Sequence, residues 1–178
     1  MKLMITCFFI IGSFIFAGHP AADHYLCLPC GSSCDEIVHT KTGTCTHCNM
    51  PLVKKSTVIF KKIEPAQLCS FVATHKEVIL LDVRTKAEFE GTAEEKFGRL
   101  KNAINIPIQE LEQRVAELNK YKNTEIVVYC SHSHRSPRAS YLLNQHGFKK
   151  VTNMNGGMSV WKEQVKEKIC NTKLYVEQ

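Results

Sequence analysis

From Val78 to Val83 the chain runs almost continuously apolar, and Glu125-Ile126-Val127-Val128-Tyr129-Cys130 repeats the pattern with β-branched residues. Such runs lack the polar alternation of a half-exposed strand, so both predict strands covered on two faces, as in a parallel sheet. Ala103 to Ile108 and Val151 to Met154 read as further strands, and Val58-Ile59-Phe60 as an edge strand. Helical spacing lies between them. Pro65 to Thr74 reads as a short helix opened by its proline, and Ile108, Leu111, Val115 and Leu118 recur on one helical face. Ala139, Leu142 and Leu143 belong to a third helix, with Ser136 as N-cap, Pro137 at its first position and Gly147 at its end. A last helix, after Gly156-Gly157, holds Trp161 as a core aromatic. This alternation predicts an α/β domain, a parallel sheet flanked by helices and joined by right-handed crossovers.

The N-terminal third is different. Lys2 precedes an apolar run from about Met4 to Ala17, too short for a comfortable membrane crossing and suited to the hydrophobic region of a secretory signal. Residues 1–18 are therefore expected to be a signal peptide, with an uncleaved anchor as the competing reading. The expected location is exported, periplasmic or secreted, with no stable membrane association after cleavage. Residues 23–53 carry Cys27-Leu28-Pro29-Cys30 and Cys45-Thr46-His47-Cys48, two CxxC turns separated by a polar stretch. Four thiolates from such turns suit a tetrahedral metal site, and Gly31 and Asn49 supply residues that tolerate positive φ after each pair. Cys27, Cys30, Cys45 and Cys48 are the expected ligands of one zinc ion or another soft heavy metal. With so little apolar material, the segment draws its folding energy from that ion. A disulfide pair is the alternative, since exported proteins meet oxidising conditions. Cys34 is an odd thiol able to replace one of the four, and His39 and His47 read as solvated.

At 178 residues, with 44% hydrophobic content, the chain holds one principal domain and something small beside it. Its formal charge of +6 is spread without a basic block, which favours small anions weakly and speaks against nucleic acid. Residues 57–165 are the expected principal domain and 166–178 a C-terminal tail. Cys69 and Cys170 show no partner in sequence and read as structural or free.

Chemistry concentrates after the second apolar run. Ser131-His132-Ser133-His134-Arg135-Ser136-Pro137 follows Cys130, so the thiol sits at a strand-to-helix turn. Loop amides, the unsatisfied N–H groups of a helix N-terminus, Arg135 and protonated histidines all favour a thiolate there. A buried cysteine packed as a small hydrophobe is the plainer reading, but core cysteines are rarely followed by such a polar loop.

Cys130, four residues, then Arg135 and Ser136 resembles the active-site loop of the rhodanese-like sulfurtransferases. Leu80-Leu81-Asp82-Val83-Arg84, Glu88-Phe89, Gly98 with Asn102-Ala103-Ile104-Asn105-Ile106-Pro107, and Asn155-Gly156-Gly157 with Trp161 match in family order. Glycine is usual in that family at the places of Ser133 and Asn102. The N-terminal block, Tyr25-x-Cys27-x-x-Cys30 with Gly43-x-Cys45-x-x-Cys48-x-Met50-x-Leu52, resembles the small heavy-metal-binding ribbon found beside metal-transporting ATPases and efflux adaptors; Cys30 stands where histidine is common.

The first resemblance implies a sulfurtransferase. Cys130 takes sulfane sulfur from thiosulfate or a persulfide, holds it as a persulfide, and passes it to a thiol or cyanide acceptor. Arg135 and the loop residues Ser131, His132, Ser133, His134 and Ser136 bind the small anionic donor, while Asp82 and Arg84 brace the loop. Without the resemblance, those two read equally well as a surface ion pair. Three rivals remain. Related phosphatases and arsenate reductases on this fold space cysteine and arginine more widely than the four residues here. A second is a module without turnover that senses or carries metal and sulfur, but an inactive member of the family is expected to lack the cysteine, and Cys130 is present. A thiol oxidoreductase needs a resolving thiol, which Cys130 lacks nearby in sequence.

Overall fold

The computed structural model describes residues 23–28 and 33–178. The expected signal peptide, Cys30 and Gly31 lie outside these described residues. Three strands form the N-terminal unit, β1 (Tyr25–Leu26), β2 (Val38–His39) and β3 (Val53–Lys54), with β1 central and antiparallel to both neighbours.

The main sheet follows, built from β4 (Lys61–Ile63), β5 (Val78–Asp82), β7 (Ile104–Asn105), β8 (Glu125–Tyr129) and β9 (Val151–Met154). The short β6 (Arg99–Leu100) lies between β5 and β7 in the chain but outside this sheet. Its order is β4-β9-β8-β5-β7, with every neighbouring pair parallel. In register, Leu81 faces Val128 and Val128 faces Asn153, which sets β8 at the centre.

Side-chain alternation along β8 divides the core. Ile126, Val128 and Cys130 join Leu81, Val83, Ile106, Leu111 and Leu143 on one face, while Val127 and Tyr129 join Leu68, Leu100, Met154 and Trp161 on the other. Helices α3 (Ile108–Arg114) and α4 (Arg135–Gln145) cover the first face, and α1 (Pro65–Thr74) and α5 (Trp161–Gln164) the second. A fifth helix, α2 (Lys86–Glu90), follows β5 and ends at Gly91 in the left-handed conformation. The parallel sheet with helices on both faces is the expected rhodanese-like α/β architecture.

The differences from expectation are local, and each has a cause. Residues 58–60 are not a strand: Phe60 turns into the core at 8% exposure, Ile59 is 63% exposed, and pairing with β9 begins only at Lys61. Helix α4 starts at Arg135 rather than after Ser136, with His134 as an N-cap that makes no side-chain bond. The Ser136 hydroxyl is engaged elsewhere, 3.4 Å from the Cys130 sulfur, and Pro137 is harmless in the first turn because N–H groups there have no helical partner. The helix predicted through Leu118 gives way after Arg114 to a 3₁₀ stretch, Val115–Tyr121, which still buries Leu118.

Residues 166–178, expected as a tail, fold back on the domain. They form α6 (Lys168–Leu174) and β10 (Tyr175–Val176), which pairs antiparallel with β6. A disulfide between Cys69 on α1 and Cys170 on α6 fastens this segment.

The N-terminal unit packs on the α3–α4 face. Leu28 is 5% exposed within the main core, Met50 and Val53 pack against it, and the hydroxyls of Thr57 and Tyr141 lie 3.2 Å apart. Among the described residues, no helix is long and apolar enough to cross a membrane.

Candidate active site and metal centre

Cys130 directly follows the C-terminal end of central strand β8, where ligands bind in open parallel sheets. Its loop rests on the turn after β9: Met158 N–H donates to the Cys130 carbonyl at 2.9 Å and Ser159 N–H to the Ser131 carbonyl at 3.0 Å. The approach is so close that a Cβ on Gly157 (φ 65°) would lie 2.4 Å from the Cys130 oxygen. Only glycine permits this contact. Ser133 adopts φ 62°, and its hydroxyl donates to the Met154 carbonyl at 3.3 Å. Ser133 and Asn102 (φ 57°) are the two positions where the family usually has glycine, and both are left-handed here.

Arg135 reaches across to α2. Its two terminal nitrogens donate to both Glu88 carboxylate oxygens at 2.7 Å, and one also donates to the Ser131 hydroxyl at 2.7 Å. This bidentate pair is largely buried, with side-chain exposures of 26% and 19%. The Arg135 guanidinium, and then the Thr85 hydroxyl and amide, hold the Glu88 carboxyl down at about 2. The His132 ring meets Phe97 edge-on at 5.1 Å, and His134 is exposed at the helix start.

Cys130, Ser131, Arg135 and Ser136 are therefore linked by direct contacts, whereas His132, Ser133 and His134 face Phe97, Met154 and solvent. Glu88, Phe97 and Gly157 complete the site without having been assigned a role from sequence. Glu88 had a signal there: Thr85 and Glu88 have capping-box spacing, and the box forms, with Thr85 N–H donating to Glu88. Its reach to Arg135 is a tertiary contact that no local pattern shows.

Asp82 and Arg84 form a buried pair, not a surface one. They are 0% and 1% exposed, and Arg84 donates through Nε and Nη2 to the Asp82 carboxylate, with Nη2 at 2.7 Å. The same Nη2 donates to the Gly98 carbonyl at 2.9 Å, and the guanidinium lies 5.8 Å from the Tyr129 ring centre. Val83 N–H donates to the Tyr129 carbonyl, so the pair fixes the strand end from which Cys130 leaves.

The rhodanese-like domain model matches residues 66–164, more than half of the chain. The chain belongs to the rhodanese-like family. Its rhodanese-like region is 36% identical over 98 residues to the uncharacterized protein YqhL of Bacillus subtilis, covering 55% of this chain and 71% of that protein. It is 30% identical over 100 residues to a sulfurtransferase of Allochromatium vinosum, covering 56% of this chain and 86% of the relative. The crystal structure of reduced Bacillus anthracis CoADR-RHD superposes with a TM-score of 0.51 at 23% identity, covering 66% of this chain and 18% of that one, and shares the fold.

A cysteine cluster able to hold a metal ion precedes the matched rhodanese-like residues. The sulfurs of Cys27, Cys34, Cys45 and Cys48 all lie within 4.8 Å of one another, and those of Cys27 and Cys48 are 3.1 Å apart. Tetrahedral zinc with Zn–S near 2.3 Å places its sulfurs about 3.8 Å apart, so the cluster fits a thiolate-bound ion after small shifts. Three of the four expected ligands are here. Cys34 supplies the fourth sulfur, while Cys30 lies outside the described residues. The second knuckle is formed as predicted, with Asn49 at φ 55°, Asn49 N–H donating to the Cys45 carbonyl and Cys45 N–H to the Met50 carbonyl. The amides of Cys48 and His47 lower the Cys45 thiol to about 7, whereas burial, with Cys48 and Cys45 nearby, pushes Cys27 far up. The shifts run in opposite directions within one cluster, and a bound cation would favour the thiolate form of all four sulfurs.

Two outcomes follow. Glu88 titrates from an ordinary 4.5 down to about 2 on folding, so its contribution to stability is complete above about 4.5 and disappears as pH falls toward 2. In urea unfolding across that window, Glu88→Gln is less stable than the parent at pH 6 and the difference shrinks on acidification; a constant difference refutes the pairing. Removal of metal by a chelator raises hydrogen exchange in residues 33–53 while β5 and β8 keep their protection. A protein isolated without metal, whose ribbon cysteines resist alkylation until reduced, instead contains a disulfide staple.

Proposed function

We propose that this protein is a sulfurtransferase that carries sulfane sulfur on Cys130 from thiosulfate or a persulfide to a thiol or cyanide acceptor. The observation behind this reading is a cysteine at the end of the central strand, with four residues before Arg135 and the Ser136 hydroxyl at 3.4 Å from its sulfur. The Cys130 thiolate attacks the outer sulfur of thiosulfate. The sulfur–sulfur bond of the donor breaks, sulfite leaves with the electron pair, and a Cys130 persulfide remains. An acceptor thiolate or cyanide then attacks the outer sulfur, departs as a persulfide or thiocyanate, and returns the Cys130 thiolate. No net oxidation occurs.

Chain groups set the conditions for both steps. The Ser136 hydroxyl donates to the thiolate, and α4 directs its unpaired N-terminal amides toward the loop side of the site. Arg135 is committed to Glu88 and Ser131, so it shapes the loop as well as lending positive charge. Cys130 has no exposed surface, so on this reading the loop must shift to admit a donor. The short loop supports sulfur transfer over phosphate chemistry, because a tetrahedral phosphoryl group needs a wider cradle.

The proposed ribbon ion is zinc, on four thiol ligands, and the proposed location is outside the cytoplasm. The leader-like composition of residues 1–18 and the Cys69–Cys170 disulfide both support an oxidising compartment.

Cys130→Ser abolishes thiosulfate-to-cyanide transfer with an unchanged circular dichroism spectrum, and a variant that keeps most of its activity sinks the assignment. Arg135→Ala lowers kcat/KM for thiosulfate about 10–100-fold, as loss of charge-assisted bonds worth ~1.5–3 kcal/mol implies. An unchanged kcat/KM removes Arg135 from the site.

A further inference from the structure

The Cys69–Cys170 disulfide sits in an open groove of about 470 Å³, lined by both cysteines and by Ala66, Glu167, Ile169 and Lys173. Ile169 on its rim is 70% exposed, Cys69 is partly exposed, and Cys170 is 1% exposed. An incoming thiolate therefore meets the Cys69 sulfur first. What the disulfide holds is the short α6–β10 segment, and a helix of 7 residues has little stability of its own.

That segment is one side of a continuous set of contacts. Strand β10 pairs with β6, Tyr175 opposite Leu100 and Val176 opposite Arg99. The Tyr175 hydroxyl donates to the Phe97 carbonyl at 3.1 Å, and its ring fills the place a Cβ on Gly98 would occupy. Lys101 N–H donates to the Leu174 carbonyl at 2.8 Å, and the Gln178 amide donates to the Phe89 carbonyl. The other side of residues 88–100 touches the active site. Phe97 packs on His132, the Gly98 carbonyl accepts from Arg84, Leu100 N–H donates to the Tyr129 hydroxyl, and Glu88 holds Arg135. The wall of the Cys130 site is thus sandwiched between the catalytic loop and a strap fastened by one covalent bond.

We propose that Cys69–Cys170 is a site of thiol–disulfide exchange with an external dithiol, and that its reduction loosens the wall of the Cys130 site. The first thiolate of the reductant attacks Cys69, forming a mixed disulfide and expelling the Cys170 thiolate, which takes up a proton. The second thiol of the reductant, as its thiolate, then attacks its own partner sulfur and expels Cys69. Two cysteine thiols and one oxidised dithiol result. The reductant is a dithiol, and the groove that exposes Cys69 beside Ile169 is where it approaches.

The test reads Cys130 alkylation rather than sulfur transfer, so it stands whether or not the activity proposed above is correct. The full-length protein is compared oxidised and after dithiothreitol, each first cleared of sulfane sulfur with cyanide and separated from reagent. Hydrogen exchange and peptide-resolved iodoacetamide labelling are followed. Reduction is expected to raise exchange at least tenfold in residues 88–100 and 168–176, to leave β5 and β8 protected, and to speed Cys130 labelling several-fold. The Cys69→Ser, Cys170→Ser double variant reproduces these changes without reductant. The proposal is overturned if only residues 168–176 respond, if Cys130 labelling is unchanged, if all segments lose protection together, or if dithiothreitol leaves the native disulfide intact.

Discussion

A guanidinium with 1% of its surface exposed is the constraint on which the catalytic end of the sheet is built. Burying such a charge is tolerable only with complete pairing, and removing one member of a buried pair costs about 3–5 kcal/mol because the other is stranded. Arg84 meets this demand through the Asp82 carboxylate, the Gly98 carbonyl and the face of Tyr129. Asp82 ends β5, Tyr129 ends β8 and Gly98 precedes β6, so satisfying one charge fixes three backbone segments at once. Asn105 extends the arrangement by donating to the Asp82 and Arg84 carbonyls at 3.0 Å. Cys130 departs from a strand end whose position is thereby determined.

A second charge pair bears on how the site, in the sulfurtransferase reading proposed above, would meet an anionic donor. Arg135 and Glu88 neutralise one another, so the attraction of a negative donor does not rest on an uncompensated arginine. It falls to the remaining guanidinium hydrogens, the loop amides and the start of α4, short-range dipoles that act only once the donor has lost its water. On that reading, selection of the donor would be a matter of shape and hydrogen bonding within the loop more than of long-range steering.

Much of this architecture was legible in the residues because burial on both faces writes itself as unbroken apolar runs. Val78–Asp82, Val151–Met154 and the helix Pro65–Thr74 stand where periodicity and the helix-opening proline place them. The cysteine cluster was visible from knuckle spacing, and Cys34 had been recognised as able to stand in for a ligand. Features set by distant partners were not visible. Cys69 and Cys170 are separated by 101 residues, and no local pattern pairs them. Ser136 has the composition of an N-cap but turns to the Cys130 sulfur, and Val58-Ile59-Phe60 has strand composition but yields to the pull of the core on Phe60. In each case a tertiary contact outweighed a local preference of about 1 kcal/mol.

The sheet order has a kinetic corollary. Strand β4 has β9 as its partner in the sheet, with Lys61 beside Thr152, so the first strand of the domain can be seated only after nearly all of the domain has emerged. A topology dominated by such remote pairings folds slowly and keeps its early segments open during synthesis. Until β9 is made, Lys61-Lys62-Ile63 has no neighbour in the sheet, and the two lysines keep that open edge in water.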